Sequence, residues 1–144
     1  MLAMLREASA NFPLFLHVFG AIAVTGATAA VLVLALSSQR FAWLKPMLRR
    51  VMLAAVLPAW LVMRVAGQWT DSKEDFPGDP GWLGVGFIVG DLGLILLLAA
   101  TIVSWMAARK PQRGWPAKTV AVITGLYLIA LLVAMFAMTG KPGS

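Results

Sequence analysis

Residues 82–108 read WLGVGFIVGDLGLILLLAATIVSWMAA, with Asp91 as their one ionisable group and no proline. An α-helix needs about 20 apolar residues to cross roughly 30 Å of hydrocarbon. This stretch exceeds that length, which predicts a spanning helix that tilts or protrudes. Three more segments read the same way. Residues 13–36 carry only His17, residues 47–66 carry Arg49 and Arg50 at one end and Arg64 near the other, and residues 119–139 complete the set.

Composition supports this reading. The chain has 144 residues, of which 60% are hydrophobic and 12% charged. Average chains hold roughly 45–50% apolar and about 25% charged residues. A water-soluble domain of this size has too much surface to hide that much apolar area, whereas lipid solvates it. The expected fold is all-α: a polytopic membrane protein with four transmembrane helices in an up-down bundle. Residues 1–12 form an outer N-terminal segment, residues 13–139 the transmembrane domain and residues 140–144 an outer tail. No cleavable signal peptide is expected in residues 1–11. Asn11 is read as an N-cap with Pro13 in the first turn, and Pro58 predicts a bend in the second helix over residues 54–58.

The net charge of +6 follows topology rather than nucleic-acid binding. Arg40, Lys45, Arg49, Arg50, Arg109, Lys110, Arg113 and Lys118 border the first and third loops. The second loop, residues 67–81, holds Asp71, Glu74, Asp75 and Asp79 against Lys73, with turn signals at Pro77-Gly78 and Pro80-Gly81. The positive-inside rule puts the basic loops in the cytoplasm, and the acidic loop and both termini outside a cell inner membrane. Trp43, Trp69, Trp82, Trp105 and Trp115 fall near span ends, where an aromatic belt sits.

The absence of cysteine excludes disulfides, thiolate metal sites and cysteine nucleophiles. No phosphate-binding loop, serine-hydrolase elbow or zinc-protease motif occurs, so an enzymatic function is not expected. Three ionisable residues remain inside spans: His17, Arg64 and Asp91. Such groups are costly in lipid and suggest function by default. All three map to the outer half, where they define a candidate ligand or proton site. Asp91 is expected to face the interior, paired with Arg64. His17, Ala21 and Thr25 share a helical face that is expected to pack inward. Gly84, Gly86, Gly90 and Gly93 surround Asp91, either for close packing or as room for a flat ligand. Met63, Met135 and Met138 lie at similar depth to His17. Thioether with imidazole suits copper(I) or an axial haem pair, which makes His17 and Met63 candidate metal ligands.

Leu16-His17 opening a Gly/Ala-rich span, Pro58-Ala59-Trp60-Leu61-Val62-Met63 leading to Gly67-Gln68-Trp69, and Trp82 starting the third span form a recognisable set. The pattern resembles small four-helix bacterial membrane proteins of the DUF2269 type and, more distantly, the membrane domain of copper-resistance D proteins. The resemblance implies a bundle whose first-helix histidine, here His17, faces a cofactor or metal. The further histidines of a copper or bis-histidine haem protein are absent. Three functions are therefore carried forward. The first is a non-enzymatic membrane subunit or small-ligand-binding module, alone, as a homodimer or within a membrane complex. The second is a haem b- or copper-binding redox protein, and the third a small proton-coupled transporter.

Overall fold

The computed structural model describes residues 8–73 and 81–140, and no strand occurs among them. α1 spans Ala8–Ser37. A 3-10 turn at Ala42–Leu44, α2 at Lys45–Val51, a π turn at Met52–Val56 and α3 at Leu57–Lys73 make one continuous second rod. α4 spans Gly81–Arg109 and α5 spans Trp115–Gly140. Four helical stretches are long and apolar enough to cross a membrane: Asn11–Ser37, Ala42–Lys73, Gly81–Arg109 and Trp115–Gly140.

Each helix buries a seam whose members are three or four residues apart. On α4 the seam is Gly90, Gly93, Leu97, Ala100, Ser104 and Ala107. That alternation is the signature of left-handed knobs-into-holes packing. The opposite faces expose Phe15, Ile22 and Val33 on α1 and Ile88, Ile95 and Ile102 on α4. An outer surface this apolar is stable only in lipid.

Several expectations shift in detail. The seam of α1 runs through Gly20, Val24, Thr28, Val31 and Ala35, while His17, Ala21 and Thr25 lie half-buried beside it. The cause is Gly20: a Cβ there would stand 2.6 Å from the Met63 backbone nitrogen. Only glycine permits this approach of α1 to α3, and it sets the rotation of α1. Asn11 is not an N-cap, because α1 begins at Ala8 and carries Pro13 inside it. α3 runs on to Lys73 through Gly67, since one glycine does not stop a helix. α5 starts at Trp115 with Pro116 in its first turn, where a missing N–H costs nothing. The Pro77-Gly78 and Pro80-Gly81 turns, and residues 1–7 and 141–144, fall wholly or partly outside the described residues.

Where a bend is expected before Pro58, the helix forms a π turn. Leu57 N–H reaches Met52 O, five residues back. Pro58 has no N–H to return to the carbonyl of Ala54, so the ladder widens just ahead of it.

α1 packs along α3 and α5, α4 packs along α5, and α2 packs on α4. α3 and α4 make little direct contact. The ring of helices is therefore closed at the basic-loop end and loosened between α3 and α4 toward the acidic-loop end. The basic end is also pinned. Lys45, 4% exposed, donates from Nζ to Pro111 O and to Arg113 O, the latter at 2.9 Å. One lysine thus ties the start of α2 to the loop between α4 and α5.

Candidate functional site

The site begins where the π turn ends. Trp60 is buried, and its Nε1 donates to Gly90 O at 2.9 Å, joining α3 to α4. One turn further along α3, Arg64 Nε meets Asp91 Oδ1 at 2.8 Å. Arg64 is nine residues from the end of α3 and Asp91 ten from the start of α4. At 1.5 Å per residue both lie about 15 Å inside the acidic-end helix termini. The guanidinium also lies over the Phe87 ring, 4.9 Å from its centroid, and Nη1 reaches Gln68 Oε1 at 3.4 Å.

Asp91 is not in the interior. Its side chain is 61% exposed, against 20% for Arg64. The α4 seam explains this: Gly90 and Gly93 are its members, and the residue after Gly90 points about 100° away from it. The carboxylate is carried at this depth by its ion pair, because Arg64 neutralises a charge that lipid would otherwise expel.

Beside this strut lies a partly open cavity of about 440 Å³ between α1, α3, α4 and α5. Small-molecule pockets measure about 300–1,000 Å³. Most of its wall is apolar, including Leu14, Val18, Leu83, Phe87, Val89 and Leu131. Arg64, Thr70, Asp71 and Trp82 also line it, whereas Asp91 stands outside the lining.

His17 lines the same cavity but does not join the ion pair. Its Nδ1 lies 2.8 Å from Met63 O. A carbonyl only accepts, so Nδ1 is the donor in this bond. Gly67 makes room for the ring, since a Cβ there would fall 2.8 Å from Nδ1. The sequence reading assigned no role to Gly67. Its signal was present as a glycine in an otherwise uninterrupted helical run, which marks a close approach.

Met63, Met135 and Met138 also line the cavity. Among the described residues no group of three or more histidine, aspartate or glutamate side chains is placed to hold a metal. Two of the α4 glycines serve packing. A Cβ on Gly93 would stand 2.3 Å from the Tyr127 ring, and one on Gly86 1.8 Å from the Met138 methyl. Protein side chains, rather than a flat ligand, occupy those two slots.

Fold and surface together define an integral membrane protein of four apolar helices. No family model, curated protein or solved structure matches the chain.

Proposed function

We propose that the protein is a non-enzymatic membrane module that binds a small, mainly apolar ligand in the acidic-end cavity. Arg64 and His17 lie on its polar edge, with Asp91 paired to Arg64 outside the lining. The observation that carries this reading is the cavity itself, about 440 Å³ in a bundle whose other half is closely packed. The basic loops face the cytoplasm in this proposal, so the cavity belongs to the outer half of an inner membrane. The likeness to small four-helix membrane proteins of the DUF2269 type is part of the same proposal.

The test uses detergent-purified protein and the neutral apolar probe phenylnaphthylamine. Saturable binding is expected, and it is expected to be lost in the cavity-filling variants Ala21→Phe and Ala134→Phe. Binding that persists unchanged in folded, filled variants overturns the proposal.

A second reading is supported by His17, Met63, Met135 and Met138 lining one cavity. That set suits a soft ion such as copper(I), or an axial contact to haem b. Metal analysis and the visible spectrum of purified protein decide it: a stoichiometric metal or a Soret band supports this reading, and their absence after loading removes it.

A further inference from the structure

The charges around the cavity do not balance, and the imbalance selects a ligand class. Arg64 is already committed. It holds Asp91 at 2.8 Å, reaches Gln68 at 3.4 Å and lies over Phe87. Asp71 lines the same cavity, half-buried, and forms no ion pair or hydrogen bond with any described residue. Lys73 is two residues further along α3, and residues so spaced do not face each other on a helix. Among the described residues no lysine lines the cavity. Of these residues an entering molecule therefore meets an apolar wall, the His17 ring, an arginine already paired with Asp91, and one carboxylate without an ion-pair partner.

The wider field has the same sign. The segment joining α3 to α4 carries Glu74, Asp75 and Asp79 in its sequence, while eight basic residues belong to the first and third loops at the other end. Fields of this kind concentrate ligands of opposite charge at a low-dielectric mouth. A fatty-acid carboxylate or phosphate head would find no unpaired arginine or lysine among the described lining residues and would be repelled by Asp71. A neutral amphiphile would gain nothing from it.

On this basis, and resting on the ligand-binding reading above, we infer that the cavity takes a lipophilic cation. Its apolar body lies against Leu14, Val18, Phe87 and Leu131, and its charge lies at Asp71. Partial desolvation at the cavity edge strengthens the attraction relative to water.

The test is displacement of phenylnaphthylamine from purified protein in non-ionic detergent. Competitors are tetraphenylphosphonium as the cation and anilinonaphthalene sulfonate as the anion. Tetraphenylphosphonium is expected to bind more tightly than the sulfonate. Asp71→Asn is expected to weaken the cation by about tenfold and leave the neutral probe unchanged, and Asp71→Glu is expected to restore cation binding. Equal cation affinity in Asp71→Asn, or preference for the sulfonate, overturns the inference while the binding module stands. Failure of every probe, or indifference to Ala21→Phe and Ala134→Phe, overturns the binding module itself.

Discussion

The two ends of this bundle are built differently from the same helices. At the basic-loop end, Leu48, Leu97, Ala107, Ala117 and Val120 are fully buried, and Lys45 fastens one loop to another through backbone carbonyls. At the acidic-loop end α3 and α4 separate around a cavity, and one ion pair and one tryptophan bridge them. The contrast shows that apolar composition alone does not dictate close packing. At one end alanine and leucine mesh between α4 and its neighbours, whereas at the other α3 packs closely on α1 and meets α4 through the side chains of Trp60 and Arg64.

The most decisive break in this comparison would be topological. The chain has no cysteine, so single-cysteine labelling is clean. Lys73→Cys is expected to react with an impermeant reagent in intact cells, and Arg113→Cys only after permeabilisation; the reverse pattern would invert which end faces out. Next in size is Gly20→Ala. Its new Cβ meets backbone rather than a movable side chain, and overpacking of this kind costs about 1–3 kcal/mol. A marked fall in thermal midpoint in detergent is expected, and an unchanged midpoint would show that α1 and α3 are not so closely joined.

Lys45→Met sharpens the contrast from the other end. It leaves two loop carbonyls without their cationic donor, and hydrogen bonds to charged groups are worth about 1.5–3 kcal/mol. Faster amide exchange in residues 109–115 is the expected readout, and unaltered protection would mean that the loop holds itself. Smaller again is the coupling between Arg64 and Asp91. A thermal-unfolding cycle with Arg64→Gln and Asp91→Asn is expected to show an interaction of about 1 kcal/mol, and strict additivity would mean that the strut carries no energy. The smallest effect belongs to Gly86→Ala. Its Cβ meets only the end of the flexible Met138 side chain, so a change below about 1 kcal/mol is expected in the same assay. A large loss there would show that the acidic end is as tightly packed as the basic end.

Helix number and class were legible in the sequence because hydropathy is local: every spanning run declares itself without reference to its neighbours. Helix ends were less so. Gly67 and Pro13 look like boundaries, yet both lie inside helices because the residues around them continue the pattern. The pairing of Arg64 with Asp91 was readable from their shared outer half and from the adjacency of their helices in sequence. The exposure of Asp91 was not, because rotation about a helix axis depends on which small residues touch, and Gly20 and Gly93 decide that only in three dimensions. The hydrogen bond from His17 to Met63 O has no sequence signal of its own, because any backbone carbonyl within reach could accept it. The cavity was illegible as a volume, since it arises from a gap between two helices rather than from any residue.

The π turn at Met52–Val56 makes residue count an independent variable in the second rod. Buried positions on this rod run Leu48, Met52, Val56, Trp60, Met63: three steps of four in succession, where an undisturbed seam would alternate. The widened turn absorbs one surplus residue, so the buried seam runs on across it and α3 keeps its angular phase relative to α2. Deleting Ala54 would let the turn close to an α turn, with Trp60 still beside Gly90 and Arg64 still beside Asp91. Deleting Leu61, within the regular ladder of α3, would instead turn Arg64 by about 100° relative to Trp60. That deletion would break the ion pair and leave the tryptophan bridge, an effect invisible to any scan that only exchanges side chains.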